Sequence, residues 1–229
     1  MKTIIVTGAS GNMGQAVVKK FLSEGYKVIG TAVPNDPVPL DIADANFEKV
    51  VVDLMNEDDS GKFINTIIEK YKTIDVVVST VGGFAMGSVE KTKSSDIYKQ
   101  YKLNFETAYH VARPAFLQML QQGSGRIFLV GSRPGLHPKH GKGMIAYSLG
   151  KSLIFQLAGL MNDEAKGKNV VTSVLVPSTI DTPQNRKSMP DANPDNWVKA
   201  EAIADTIYFY CTENAAALRE PVIKLYNNA

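Results

Sequence analysis

The chain has 229 residues, of which 44% are hydrophobic and 21% are charged, so it can bury one substantial core. A net charge of +2 gives no large electrostatic field, and no apolar run reaches the roughly eighteen residues of a membrane span. We therefore expect a small-molecule substrate, and neither a nucleic-acid nor a membrane partner. The first strand begins without room for a signal peptide, and the single Cys211 has no internal disulfide partner, which together predict a cytoplasmic protein.

The first strand leads directly into a glycine turn. Residues 4–6 are apolar, glycines stand at positions 8, 11 and 14, and an apolar pattern with helical spacing follows. In this context one glycine permits the tight turn, one lets a pyrophosphate approach the backbone, and one lets the helix pack closely. The first N–H groups of that helix would face the phosphates. We predict a nucleotide-binding turn, rather than a purely structural one, formed by Gly8, Ser10, Gly11, Asn12, Met13 and Gly14.

Strand and helix patterns alternate along the rest of the chain. Further strands are predicted at residues 27–32, 50–53, 75–79, 126–131, 170–176 and 222–225, and the clearest helices at residues 58–71, 94–120, 146–164 and 200–211. This alternation predicts a single-domain α/β fold over residues 1–229, with a doubly wound parallel sheet of about seven strands and helices on both faces. In such sheets, ligands bind beyond the carboxyl ends of the strands.

Two stretches rich in proline, residues 34–41 and 177–197, are predicted to be irregular. The second is long, and long loops in compact domains often cover active sites, so we predict a substrate-binding lid at residues 183–199. The loop at residues 136–143 holds two histidines and two lysines. We expect it to be solvated, with contact to an anionic substrate as the alternative. No histidine constellation suggests a metal site.

The helix predicted at residues 146–164 carries the second chemical signal, Tyr147 and Lys151. Residues four apart share one helix face, so the ammonium can lie near the phenol and lower its pKa from about 10. A tyrosine tuned in this way can donate or accept a proton near neutral pH. Ser132 follows the strand predicted at residues 126–131, where an open sheet places ligand-binding groups. The other such pair, Tyr98 and Lys102, lacks this context and is expected on a solvated helix face.

Taken together, these features resemble the short-chain dehydrogenase/reductase family. The resemblance covers nearly the whole chain and implies a Rossmann-type fold, a nicotinamide dinucleotide cofactor and hydride transfer. Beyond the glycine turn, it rests on Asp53, Leu54, Gly82, Gly83, Asn104, Ser132, Tyr147, Lys151 and residues 176–183.

The resemblance also implies roles for individual residues. Tyr147 would exchange the proton with the substrate, while Lys151 would lower the pKa of Tyr147 and hold the nicotinamide ribose. Ser132 would orient the reacting oxygen or nitrogen, and Asn104 would support a water relay to Lys151. Ser132 as a plain strand-end turn residue is the alternative, because its spacing to Tyr147 is longer than the family's. The remaining cofactor contacts would come from Ala32, Asp53, Leu54, Gly82, Gly83, Pro177, Ile180 and Thr182.

Cofactor choice depends on the end of the second strand, where an acidic residue would bind the ribose 2′-hydroxyl and repel a 2′-phosphate. The chain has Ala32 at this place, and the neighbouring residues 30–33 offer neither an acid nor an arginine. We therefore expect NADP(H) to be favoured over NAD(H).

Two loops resemble those of dihydropteridine reductases: residues 82–87 and the stretch from Leu175 to Ala192 with Trp197 soon after. Those enzymes lack a serine and an asparagine at the places of Ser132 and Asn104, and they carry an acid where this chain has Ala32. We therefore predict an NAD(P)H-dependent oxidoreductase that reduces a carbonyl or cyclic imine, with dihydropteridine reduction as the alternative. A non-catalytic dinucleotide sensor is a third possibility, but it would have little use for the four catalytic-type residues.

Family members usually dimerise through the helices predicted at residues 94–120 and 146–164, so a homodimer or homotetramer is expected. The apolar residues Phe155, Leu157, Leu160 and Met161 could form that interface or could pack on the sheet.

Overall fold

Seven parallel strands form one sheet in the computed structural model, which describes residues 1–219 and 222–228. The strands are β1 (Thr3–Thr7), β2 (Lys27–Ala32), β3 (Phe47–Val51), β4 (Val76–Ser79), β5 (Ser124–Val130), β6 (Asn169–Pro177) and β7 (Val222–Leu225). Their order across the sheet is β3-β2-β1-β4-β5-β6-β7. The order reverses direction between β1 and β4, and at such a switch point the loops diverge and leave a crevice at the carboxyl edge.

Helices cover both faces of this sheet. They are α1 (Asn12–Ser23), α2 (Glu57–Tyr71), α3 (Ser94–Tyr101), α4 (Thr107–Gln122), α5 (Arg133–Leu136), α6 (Ile145–Glu164), α7 (Pro183–Ser188) and α8 (Ala200–Phe209). Helices α1 and α8 pack on one face, and α2, α4 and α6 pack on the other. All five residues of β1 are buried, because this central strand is covered on both faces.

The predicted α/β, Rossmann-type, single-domain fold is confirmed, and most predicted elements differ by only a few residues at their ends. The second and seventh strands have the predicted bounds. The third lies at Phe47–Val51 rather than at residues 50–53, because its register is set by pairing with β2. Within the described residues, no helix is long and apolar enough to cross a membrane.

The helix predicted over residues 94–120 is present, but its hydrogen bonding is not regular throughout. A π-helical turn at Lys102–Glu106 separates α3 from α4, and the N–H of Thr107 reaches back to the carbonyl of Lys102. Because this hydrogen bond spans five residues instead of four, the turn contains one extra residue, and the side chains that follow it face a different direction. It leaves Lys102 exposed and buries Asn104, whose exposed fraction is 1%.

Candidate active site

A cleft of about 610 Å³ lies at the carboxyl edge of the sheet, beyond β1, β2 and β4. Fourteen residues predicted to contact the cofactor line it: Gly8, Ser10, Gly11, Asn12, Met13, Gly14, Asp53, Leu54, Gly82, Gly83, Tyr147, Lys151, Ile180 and Thr182. Of the other two, Ala32 is buried and Pro177 is half-buried, and within the described part of the chain neither belongs to this lining. Thr31 and Val33, which flank Ala32, reach the cleft instead.

The glycine turn is closed by backbone geometry that excludes side chains. Gly8 has φ +61°, a conformation that residues with a side chain rarely adopt. A Cβ at Gly14 would lie 2.2 Å from the Gly8 carbonyl oxygen, so only glycine lets α1 approach the turn. Gly11 precedes α1 without any side-chain cap, and the first turn carries no acidic residue. The first N–H groups of α1 are therefore available to an anion in the cleft.

Ser132, Tyr147 and Lys151 meet at the opposite end of the cleft. The Ser132 oxygen accepts a hydrogen bond from the Gly135 N–H at 3.1 Å, and its hydroxyl lies close enough to the Tyr147 phenol to lower the pKa of that phenol. Lys151 Nζ donates to the Val130 carbonyl at 2.7 Å and is 4% exposed. The structure thus brings together the strand-end serine and the helical pair.

Burial determines the proton affinities here. It lowers the pKa of Lys151 to about 8. It raises the pKa of Tyr147, and the neighbouring Ser132 hydroxyl offsets part of that rise. Lys151, which is expected to lower the pKa of Tyr147, is not among the groups that shift it here. The ammonium is turned toward the Val130 carbonyl, so desolvation of the phenol dominates.

Asn104 stands behind this group and fixes the loop after β4. Its Oδ1 accepts from the Gly83 N–H at 3.1 Å, while its Nδ2 donates to the Gly83 carbonyl at 3.0 Å. The same Nδ2 donates to Oε1 of Gln100, which is 4% exposed, at 2.9 Å. Asn104 therefore holds Gly83 on both backbone groups. The sequence reasoning missed Gln100, although its spacing of four from Asn104 is a signal that could have identified it.

Gly82 lies between Asn104 and Lys151. A Cβ at this position would lie 2.8 Å from Asn104 Oδ1 and 3.1 Å from Lys151 Nζ. Phe84, two residues further on, packs edge to face against Tyr147 with ring centroids 5.2 Å apart and lines the cleft. The loop after β4 therefore supplies both the close backbone approach and an apolar wall beside the phenol.

Asp36, at the other end of the cleft, is a lining residue that the sequence reasoning missed. Its Oδ2 accepts a hydrogen bond from the Ser10 hydroxyl at 2.5 Å, and its Oδ1 accepts from the Val38 N–H at 2.9 Å. These bonds, with that from Ser10 dominant, hold the pKa of the carboxyl below its usual range. The signal was Pro34-Asn35, a pair typical of a tight turn that returns the chain toward the strand end.

The segment at residues 183–199 is more ordered than its proline content indicated. Thr182 caps α7 by accepting from the Asn185 N–H at 3.1 Å, and Asn185 Nδ2 donates to the Ile180 carbonyl at 2.8 Å. Gln184 and Asn185 line the cleft next to Ile180 and Thr182. Trp197 is buried, with its backbone carbonyl bound by Asn227. Only the first part of the segment thus faces the cleft.

Two other predictions concern side chains outside the cleft. The loop at residues 136–143 is solvated as expected, with His137, Lys139, His140 and Lys142 exposed. Tyr98 and Lys102 are exposed on the helical surface, which confirms their assignment to a solvated face.

The apolar residues of α6 divide between the sheet and solvent. Met161 is buried against the sheet, and Phe155 and Leu157 pack beside it. Leu160 is exposed.

Comparison with known proteins identifies the family. The family model for short chain dehydrogenases matches residues 2–193. The chain is 29% identical to a dihydropteridine reductase of Dictyostelium discoideum over 93% of this chain and 89% of that protein. It is 25% identical to the 3-oxoacyl-acyl-carrier-protein reductase FabG of Buchnera aphidicola over 94% of this chain and 91% of that protein.

Among solved structures, that of ElxO with NADP bound superposes with a TM-score of 0.88 at 22% identity, covering 98% of this chain and 96% of that chain. The ligand-free aldohexose dehydrogenase of Thermoplasma acidophilum superposes with a TM-score of 0.81, also at 22% identity, covering 98% and 91%. These two similarities concern the fold. The match over residues 2–193 establishes that the chain belongs to the short-chain dehydrogenase family of oxidoreductases.

Proposed function

We propose that the protein reduces a carbonyl or cyclic imine of a small molecule with a nicotinamide dinucleotide, and that Tyr147 donates the proton. One observation carries the proposal: the Tyr147 phenol, close enough to Ser132 for that hydroxyl to lower its pKa, shares one cleft with Lys151 and the glycine turn. A non-catalytic nucleotide-binding protein would need the turn but not this group of polar side chains at the far end.

The cleft fits an elongated dinucleotide. The uncapped start of α1 offers N–H groups to a pyrophosphate, and the turn leaves no room for a Cβ at Gly14. The backbone of Gly82 and Gly83 and the segment around Ile180 and Thr182 supply the walls toward Tyr147. When bound there, the nicotinamide would supply the hydride.

The residues of the chain would handle the proton. The Ser132 hydroxyl would hold the reacting oxygen or nitrogen near Tyr147, as a hydrogen-bond donor does in an oxyanion hole. Burial raises the pKa of Tyr147, so the phenol is protonated at neutral pH and suited to donate its proton to the reduced substrate. Lys151, with a pKa of about 8, is largely charged at neutral pH and would stabilise the phenolate left behind. Its ammonium also lines the cleft, where it could donate to the ribose hydroxyls.

The preference for NADP(H) predicted from Ala32 rests on a strand end without an acid. Asp36 brings a carboxylate to the same end of the cleft, four residues after Ala32. The argument that nothing repels a 2′-phosphate therefore does not carry over to the folded protein.

The test is Tyr147→Phe, assayed by dinucleotide oxidation against a panel of carbonyl and cyclic-imine substrates. We expect the rate to fall about 10²- to 10⁴-fold because the proton donor is lost. Binding of the dinucleotide should persist. Tyr98→Phe is the matched control, since Tyr98 has a lysine four residues later but is exposed. An undiminished rate in Tyr147→Phe would show that the proposed mechanism is wrong, whereas dinucleotide binding without turnover of any substrate would favour the sensor.

Dihydropteridine reduction is the second candidate. The Dictyostelium relative with that name is 29% identical over 93% of this chain, and the two loop resemblances lie at residues 82–87 and beyond Leu175. Quinonoid dihydrobiopterin, assayed with NADH and with NADPH, tests it directly. Turnover comparable to the best carbonyl substrate would support this candidate, and none at all would limit the likeness to architecture.

We further propose a cytoplasmic enzyme that associates into a homodimer or homotetramer. Leu149, Leu153 and Leu160 form an exposed stripe along α6, and Leu117 is exposed on α4. Such a stripe fits a helix-to-helix contact between copies of the chain. Sedimentation of Leu153→Glu should then report a smaller species than the wild-type protein. We also propose that residues 183–199, of which Gln184 and Asn185 line the cleft, act as the substrate lid.

A further inference from the structure

The adenosine end of the cleft has a carboxylate where the strand end itself has none. We propose that Asp36 selects NAD(H) over NADP(H), by accepting hydrogen bonds from the adenosine ribose hydroxyls and repelling a 2′-phosphate. This inference rests on the dinucleotide site of the proposed function, and it reverses the preference expected from Ala32.

A tight turn places Asp36 at this end of the cleft. Beyond the end of β2 at Ala32, the Asp36 N–H donates to the Val33 carbonyl at 3.1 Å and closes a four-residue turn. Pro34 occupies its second position and Asn35, with φ +59°, its third, the pattern of a type II turn. The turn therefore brings the Asp36 carboxylate close to the end of β2, although Asp36 lies four residues after that end.

The carboxylate is also attached to the phosphate-binding turn. Its two oxygens accept from the Ser10 hydroxyl and the Val38 N–H, so its position is fixed relative to the glycine turn. Ser10 is fixed in turn, because its carbonyl accepts from Gln15 Nε2 at 2.7 Å. An acid held in this way beside the turn predicted to receive the pyrophosphate would face the adjoining ribose, whose vicinal hydroxyls can donate hydrogen bonds to it.

The charge around Asp36 disfavours a 2′-phosphate. Within residues 1–219 and 222–228, Lys151 is the sole cation in the cleft lining, and it lies at the opposite end. Lys49, exposed on β3, is the cation whose field reaches Asp36, and its effect is the weakest of those acting on the carboxyl. Gly11, at the start of α1, has no side chain that could pair with the phosphate. A phosphate dianion beside this carboxylate would therefore meet repulsion without a compensating ion pair.

Equilibrium titration with NADH and NADPH, followed by nicotinamide fluorescence, tests the inference without any substrate. The wild-type protein should bind NADH roughly tenfold or more tightly than NADPH, the ratio that one close charge repulsion produces. Asp36→Asn should reduce that ratio at least about tenfold, mainly through tighter NADPH binding. Asp41→Asn is the matched control, because it removes an exposed acid of the same loop outside the cleft lining and should leave both affinities unchanged.

Ser10→Ala provides a second variant that keeps the charge and removes the tether. It should reduce the ratio less than Asp36→Asn does, since the carboxylate remains but is less well fixed. Tighter binding of NADPH by the wild-type protein, or an unchanged ratio in Asp36→Asn, would overturn the inference and leave the proposed function standing. Failure of a folded wild-type protein to bind either dinucleotide would overturn both.

Discussion

The two ends of the cleft are held in place by different kinds of structure. At the catalytic end, Asn104, Ser132 and Lys151 are almost fully buried and extend from long helices or a strand end. At the adenosine end, Asp36 is half-buried and extends from a loop, with its carboxylate held by Ser10. The first end is fixed by the packing of the fold, and the second by a few hydrogen bonds between loops.

This difference separates chemistry from selectivity. A group that moves a proton needs a low-dielectric, fixed environment, because burial sets its pKa and its hydrogen bonds set its direction. A group that distinguishes two cofactors needs only the correct charge at the correct place. Substitutions at the catalytic end should therefore change rate and stability together, whereas those at the adenosine end should change binding with little effect on stability.

After Tyr147→Phe, the largest loss of turnover is expected for Lys151→Met. We expect turnover to fall about 10²- to 10³-fold, because the charge that stabilises the phenolate is lost. The same change removes the cost of burying an ammonium. Assays of turnover and denaturant unfolding on one preparation measure both effects.

The sign of the pH dependence follows from the lowered pKa of Lys151, about 8 in the folded protein against 10.5 normally. Between these values the unfolded chain binds the proton and the folded chain does not, so wild-type stability rises with pH across this window. The stability of Lys151→Met relative to wild type should therefore be greatest below pH 8 and fall by on the order of 3 kcal/mol by pH 10.5. A constant difference from pH 7 to pH 10.5 would contradict the assignment of a buried charge.

Gly14→Ala tests whether the phosphate turn is also rigid. The new Cβ would lie 2.2 Å from the Gly8 carbonyl oxygen, and backbone cannot move aside as a side chain can. We expect a loss of about 3 kcal/mol in the free energy of unfolding, together with weaker dinucleotide binding. Gly61→Ala within α2 is the control, since nothing lies within 4 Å of its Cβ, and it should stabilise by about 0.5–1 kcal/mol. Equal unfolding midpoints for the two variants would show that the turn can relax.

Gln100→Ala should have a smaller effect, acting through Asn104. Loss of Oε1 removes the acceptor for one Asn104 N–H, at a cost of about 1–3 kcal/mol if that group stays buried without a partner. The loop at Gly83 should then be held less well, with a lower kcat. Gln156→Ala, at an exposed position on α6, is the control and should match wild type in kcat and unfolding. A variant that loses stability but keeps the wild-type kcat would show that Gln100 is structural only.

The sequence predicted the catalytic end better than the adenosine end for a physical reason. Tyr147 and Lys151 are four apart on one helix, so local periodicity alone brings them to one face. Ser132 follows a strand, and strand ends meet at one edge of a parallel sheet. The hydrogen bond from Lys151 Nζ to the Val130 carbonyl depends on tertiary packing that spacing does not encode.

The position of Asp36 and the π-helical turn are two features that the sequence pattern does not predict. The position of Asp36 results from the turn at Val33 and the bond to Ser10, which joins residues 26 positions apart in the chain. The wide turn at Lys102–Glu106 leaves the apolar periodicity of its neighbours nearly unchanged, so the pattern indicated one helix. Both the bond between Asp36 and Ser10 and the burial of Asn104 arise only in the folded protein.

The smallest effect is expected at the ion pair between Asp181 and Arg186, next to the lid. Arg186 Nε lies 2.6 Å from Asp181 Oδ1, but the arginine side chain is 56% exposed, so solvent and salt screen the pair. Asp181→Asn should therefore change the free energy of unfolding by less than about 1 kcal/mol. Its effect on the KM of the substrate should be similarly small and should disappear in high salt. Because Thr182 and Asn185 hold this segment through their own bonds, a large rise in KM at low salt would show that the ion pair, rather than those bonds, positions the lid.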